Sequence, residues 1–321
     1  MSDVGSGARR VAVIGLGSMG YGIATSLLRS GFDVVGYDIA AAARERLAAD
    51  GGGTATSPAE ASAGARVVVS VVVNAAQTEA VLYGPSGCAE AMPTGAVFVS
   101  SATMAPEMAR GLARRLESSG RHYLDAPISG GAQRAAEGAL TVLASGSPAA
   151  FERARPVLEA MAATVYELGE APGLGAAFKM VNQLLAGVHI AAACEAIAFA
   201  ARLGLDLGRV YEVITASAGS SWMFENRVPH VLAGDYRPRS AVEIFTKDLG
   251  IVLDMARTEK FPVPMAGAAL QLFLMTASAG MGRDDDASVA RLFARIADVA
   301  LPEASSSPAD AASPTPVQPD R

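Results

Sequence analysis

Lys179 and Asn182 stand three residues apart in an otherwise apolar stretch, GLGAAFKMVNQLLAGVHIAAACEA, residues 173–196. In a helix that spacing puts both on one face, with Gln183 close by. A buried ammonium is costly unless it is used or paired. An apolar wall also lowers a lysine pKa toward ~7–8, where the group exchanges protons near neutrality. The dipole at a helix start disfavours a lysine, which weighs against a side chain that merely snorkels to solvent. The pair therefore suits proton transfer at an oxygen that the amide holds in place.

A second polar constellation lies in LDAPISGGAQRAAEGALTVL, residues 124–143. Ser129, Gly130 and Gly131 follow a strand pattern and precede a helical one. Two glycines can turn backbone N–H groups toward an anion, and the serine adds a hydroxyl donor. Such a cup fits a carboxylate. The same residues also fit an ordinary turn with an N-capping serine.

A third stretch, VAVIGLGSMGYGIATSLLRSGFDVVGYD, carries the loop Gly15, Leu16, Gly17, Ser18, Met19, Gly20 between a strand and a helix, and ends a second strand at Asp38. This is the dinucleotide fingerprint in its full context. Gly15 permits the tight turn, Gly17 lets the backbone approach a pyrophosphate, and Gly20 lets helix and strand pack closely. Asp38 can accept from a ribose 2′-hydroxyl and would repel a 2′-phosphate. Ile39 follows rather than an arginine, so the expected cofactor is NAD rather than NADP. Loops after later strands should close this site at Asn74 and Thr103, with Ser100 and Ser101 as competitors to Thr103. A hydride acceptor and a proton acceptor together describe a dehydrogenase. A non-catalytic NAD-binding module would need neither Lys179 nor Asn182.

The elements that must position these residues alternate. Strand patterns fall at 10–15, 33–38, 66–73, 96–101, 122–127, 140–145 and 164–169, with helical patterns between most of them, and from about 170 to 300 the pattern is helical. The expected fold is an α/β Rossmann domain with a mainly parallel sheet over 10–172, then an all-α domain over 173–301 for substrate binding and oligomerisation. Residues 1–9 and 302–321 are expected to be disordered, the latter being Pro/Ser/Ala-rich.

Net charge is −6 with no long basic run, which argues against nucleic acid and anionic membrane as partners. Two separated cysteines, Cys88 and Cys194, and three scattered histidines, His122, His189 and His230, give no metal-binding spacing and suit a reduced, cytoplasmic chain. No secretory signal is visible. The apolar run from Leu184 to Cys194 reads as too short and too Ala-rich to span a membrane. His189, about 15 Å along the helix from Lys179, reads as structural or as an inter-subunit contact. Cys194 reads as a core residue. Lys247-Asp248 alone reads as a solvated pair, and Trp222 as packing or binding.

GLGSMG, DAPISGG, GLGAAFKMVNQ and KDL together resemble the β-hydroxyacid dehydrogenase family, over roughly residues 10 to 300. That family includes 3-hydroxyisobutyrate dehydrogenase and tartronate semialdehyde reductase. The resemblance implies catalysis by Lys179, a carboxylate cup at Ser129 to Gly131, Asn182 in the substrate site, and Lys247 and Thr103 near the cofactor. It also implies a homodimer or homotetramer acting on a small hydroxy acid. Gln183 departs from the second asparagine of many members, which bears on the substrate. KMVNQLLAGVHIAAACEA, GSSWMFENRVPH and IFTKDLGIVLDMA narrow the resemblance to members that oxidise L-threonate, and Asn226 adds another polar group suited to a polyol acid. A 6-phosphogluconate-type substrate fits less well, since no dense basic cluster awaits a phosphate.

Overall fold

The computed structural model describes residues 9–304. The expectations for 1–8 and 305–321 lie outside the described residues.

The chain divides into two compact units, one running to Leu185 and taking in Lys247–Val263, the other made of Ala186–Thr246 and the segment from Pro264 onward. The first contains a six-stranded parallel sheet: β1 (Arg10–Ile14), β2 (Asp33–Tyr37), β3 (Gly53–Thr54), β4 (Val67–Ser70), β5 (Val97–Ser100) and β6 (His122–Asp125). Their order is β3-β2-β1-β4-β5-β6. The β-branched runs pack on both faces because helices cover both. Val11, Val13, Val67, Val69, Val97 and Val99 enter one core cluster, and Ala12, Ile14, Val68 and Phe98 enter the other, alternating as a strand requires. The order reverses between β1 and β4, so their carboxyl ends open onto a topological switch point, where ligands of such sheets bind.

Two expectations need correction. The patterns at 140–145 and 164–169 do not extend this sheet. They form a separate three-stranded sheet, β7 (Ile128–Ser129), β8 (Leu140–Ala144) and β9 (Ala162–Glu167), with β7 antiparallel and β8 parallel to its neighbour. A hairpin-like return through Ile128–Ser129 directs β8 away from β6, and an isolated bridge between Asp125 and Ser145 ties the two sheets. Second, the apolar stretch is not short: it belongs to a helix, Leu174–Arg202, of 29 residues, long and apolar enough to cross a membrane by length and composition. Half of its most apolar window is buried within the protein, as in a core helix.

That helix continues from the first unit into the second, which is helical. There lie helices Leu207–Thr215, Trp222–Leu232, Pro264–Thr276 and Val289–Ala297, and a buried polar cluster. Arg227 pairs with Asp286, and the His230 Nδ1 lies 2.9 Å from Asp285. Arg239 contacts the other ring nitrogen of His230. Cys194 is buried with its thiol pushed up by desolvation, in keeping with a core residue.

Candidate active site

The glycine loop leaves β1 in a left-handed turn. Gly15 has φ +91°, and a Cβ there would lie 2.6 Å from the Val71 carbonyl oxygen at the end of β4. A Cβ on Gly20 would overlap the Gly15 carbonyl at 1.8 Å. On Gly17, by contrast, a Cβ would meet nothing within 4 Å. Two glycines are thus fixed by internal packing, while the third faces open space. Helix Ser18–Arg29 starts there with no side-chain cap, leaving its first N–H groups free for an anion. These residues fit a dinucleotide pyrophosphate.

Asp38 lies beside the loop. Its two carboxylate oxygens accept from the Leu16 N–H at 2.7 Å and the Ala40 N–H at 2.8 Å. Each oxygen retains a lone pair. Sequence reasoning missed Arg44, whose guanidinium donates to the Asp38 carbonyl from the next helix. Asn74 caps helix Ala75–Tyr83, its Oδ1 accepting from the Gln77 N–H at 2.9 Å, which leaves its amide nitrogen as a donor for a ligand. Thr103 is half-buried, whereas its competitors Ser100 and Ser101 are buried beneath the surface.

The long helix brings the second constellation together. Lys179 is buried, and its Nζ donates to the Ile128 carbonyl at 2.8 Å, one residue before Ser129. Burial lowers its pKa to about 8, against an opposing pull from Asp248 and with a smaller push from Lys247. Gly130 and Gly131 adopt φ +130° and +79°, a backbone that side chains rarely take. The helix they open, Gly131–Glu137, has seven residues, so the donors here are the Ser129 hydroxyl and the local N–H groups rather than a long dipole.

Asn182 Nδ2 donates to Gln183 Oε1 at 3.0 Å, and Gln183 Nε2 donates to Asp248 Oδ2 at 2.5 Å. Asp248 is buried and pairs through Oδ1 with Lys247 Nζ, also at 2.5 Å. Lys247 reaches the Thr103 carbonyl at 3.5 Å. Lys247-Asp248 is therefore not a solvated pair: it is the midpoint of a chain of contacts from Asn182 to the loop after β5.

Asp125 was also missed. At the end of β6 it accepts, through Oδ2, from the Gly173 N–H at 2.9 Å and the Ala176 N–H at 2.8 Å, and Ser145 Oγ accepts from the Gly175 N–H at 3.0 Å. Three free donors at the start of the helix that carries Lys179 are satisfied in this way, two of them by a carboxylate, where charged hydrogen bonds contribute roughly 1.5–3 kcal/mol each. Burial raises the Asp125 pKa to about 6, outweighing those donors. Trp222 and Asn226 belong to the other compact unit. Trp222 is half-exposed at a helix start, and Asn226 contacts Arg227.

Residues 10–169 match the family described as the NAD binding domain of 6-phosphogluconate dehydrogenase, and 173–293 the one described as NAD-binding of NADP-dependent 3-hydroxyisobutyrate dehydrogenase. An L-threonate dehydrogenase of Cupriavidus necator is 53% identical over 90% of this chain and 97% of its own length. The chain belongs to the NAD-dependent β-hydroxyacid dehydrogenase family. An L-threonate dehydrogenase of Escherichia coli K12 is 47% identical, over 89% of this chain and 95% of its own. A solved structure described as 3-hydroxyisobutyrate dehydrogenase from Salmonella typhimurium is 48% identical with a TM-score of 0.84, covering 88% and 99%. As a β-hydroxyacid dehydrogenase, this chain is an enzyme that acts on a CH–OH group with a nicotinamide cofactor, on the Rossmann and helical architecture read from its sequence.

Proposed function

We propose that the enzyme oxidises L-threonate at C2 to the 2-oxo acid 2-dehydro-L-erythronate, with Lys179 as general base. The observation that carries this reading is the buried Lys179 amine held on the Ile128 carbonyl, next to the donors of Ser129, Gly130 and Gly131. Bound NAD supplies the oxidising step by accepting a hydride from the substrate carbon. Neutral Lys179 takes the proton of the hydroxyl on that same carbon, and in reduction its ammonium returns it. Ser129 and the two glycine N–H groups bind the carboxylate. Asn182, with Nδ2 engaged by Gln183, offers Oδ1 to a substrate hydroxyl. Lys247, Thr103 and the Asn74 amide lie toward the cofactor, as do the backbone of Leu16, Ser18 and Met19. A small hydroxy acid and NAD are the partners that this chemistry requires.

The names of the relatives at 53% and 47% identity support L-threonate, and that of the structural neighbour at 48% favours 3-hydroxyisobutyrate as a second reading. The two differ in the outcome of oxidation. A 2-oxo acid keeps its carboxylate, while a 3-oxo acid can lose carbon dioxide. NADH formation across a panel of short hydroxy acids, with carbon dioxide measured alongside, separates them. L-Threonate should give NADH without carbon dioxide, and turnover of 3-hydroxyisobutyrate alone would reject this substrate.

Asp38 sets the cofactor preference in this reading, accepting from the ribose diol. Since a charged hydrogen bond contributes roughly 1.5–3 kcal/mol, Asp38→Ala should raise the KM for NAD about 10- to 100-fold and affect NADP less. Arg44, already beside Asp38, would then face a 2′-phosphate without the repelling carboxylate. A wild type that prefers NADP would refute this assignment.

A further inference from the structure

Gly22 stands inside helix Ser18–Arg29, one turn past its start, where a glycine costs stability relative to alanine. The reason for it is contact. A Cβ there would lie 2.7 Å from the Ala136 nitrogen and 2.9 Å from both the carbonyl carbon and the Cβ of Ala135. None of these atoms can swing aside: two are backbone, and the third belongs to a buried alanine. Helix Gly131–Glu137, which the cup Ser129, Gly130 and Gly131 opens, thus touches the cofactor helix backbone to backbone. The contact continues along one face, since Gly22, Ser26 and Arg29 are spaced four and three apart. A Cβ on Gly138, at φ +71°, would lie 2.6 Å from Ser26 Oγ, and that hydroxyl donates to the Ala160 carbonyl at 2.7 Å. Arg29 donates to the Ala136 carbonyl.

Both sets of anion donors lie one turn from this contact. Ser18 precedes Gly22 by four residues and begins the uncapped turn that fits a pyrophosphate. Gly131 precedes Ala135 by four and closes the cup. The spacing between the two sets is therefore fixed at Gly22. The helices are not held equally. The first buries Ile23, Ala24 and Leu27 in the cluster that contains Val11, Val13 and Val34 of the sheet, whereas the second buries Ala135 alone. Widening the contact moves the second helix and its cup, and leaves the glycine loop in place.

We infer that Gly22 is a positioning residue for the reaction: by admitting backbone contact between the two helices, it sets the substrate carboxylate at its distance from the bound cofactor. The inference rests on the reading of Ser129 to Gly131 as the carboxylate cup. The test uses the full chain and the hydroxy acid that the wild type turns over best. Gly22→Ala displaces the cup, and a misplacement of about 1 Å costs on the order of 100-fold. The kcat/KM for the acid should fall by about that factor, while NAD affinity, measured by calorimetry without the acid, stays within about twofold. Ala135→Val widens the contact from the other helix, should show the same split, and serves where Gly22→Ala does not fold. The decisive measurement is the cycle with Ser129→Ala. A cup without its hydroxyl has less to lose by displacement, so the double variant Gly22→Ala, Ser129→Ala should lose less than the product of the two single losses. Unrelated packing defects multiply. The inference fails if NAD affinity drops along with turnover, if Gly22→Ala and Ala135→Val both keep the wild-type kcat/KM, or if the losses multiply. Ser129→Ala with an unchanged KM for the acid would overturn the cup and this inference with it. A raised KM in Ser129→Ala beside an unaffected Gly22→Ala would overturn the inference alone.

Discussion

Lys179→Ala should lose roughly 10²- to 10⁴-fold in turnover, the usual contribution of a positioned acid–base group. NAD affinity should hold, because the glycine loop and Asp38 use none of the Lys179 contacts. Lys179→Arg should not recover the rate: guanidinium stays protonated and cannot accept the hydroxyl proton. The wild-type profile carries the sign of the mechanism. The base works only when neutral, so oxidation should rise with pH through the lysine pKa of about 8 and level off above it. Reduction, which needs the ammonium, should fall through the same value. Steady-state rates at saturating substrate and NAD across that range decide the matter. Near-normal turnover in Lys179→Ala would make the lysine structural.

Asp248→Asn should have two effects of different kinds. The carboxylate is buried and holds both Lys247 and Gln183. Breaking such a pair from one side costs roughly 3–5 kcal/mol in a dry interior. Lys247 is partly exposed, which places this case at the low end, or about 6–12 °C in melting temperature for domains of this size. The second effect concerns the base. The charge of Asp248 raises the Lys179 pKa and that of Lys247 lowers it. Neutralising Asp248 removes the first and leaves the second, so the rising limb of the oxidation profile should move to lower pH. A packing defect alone lowers stability without moving that limb. An unmoved limb would show that Asp248 is not coupled to the base.

The residues that were legible in the sequence are those whose local setting is anomalous. Gly15 and Gly20 stand out because no other residue fits their backbone contacts, and Lys179 because an ammonium sits in an apolar helix. The six parallel strands followed from β-branched runs, although β3 and β7, two residues each, were too short to show a period. Asp125, Gln183 and Asp248 gave no such signal. Each is an unremarkable polar residue until folding brings up a partner: Asp125 meets Gly173 and Ala176, and Gln183 meets Asp248, across about fifty or more positions of chain. Asn74, read from its place after a strand as a cofactor contact, has a further role that gave no signal: its carbonyl oxygen caps a helix. The second sheet was missed because the pattern of a strand does not say which neighbour it will pair with.

The chain from Asp125 to Ile128 grips the long helix twice, once at its opening turn through the Asp125 carboxylate and once through the Ile128 carbonyl on Lys179. A rod held at one point can swivel; held at two, through its backbone and through a side chain, it keeps both its tilt and its roll. The orientation of Asn182 and Gln183 is thereby inherited from a stretch of backbone that neither residue touches in the hydrogen-bond network. On the proposed function, changes at those two positions reshape the room for an acid's hydroxyl groups while the amine of Lys179 stays where it is. Selectivity and proton transfer are thus separately adjustable, which is the property that would let one scaffold serve several hydroxy acids.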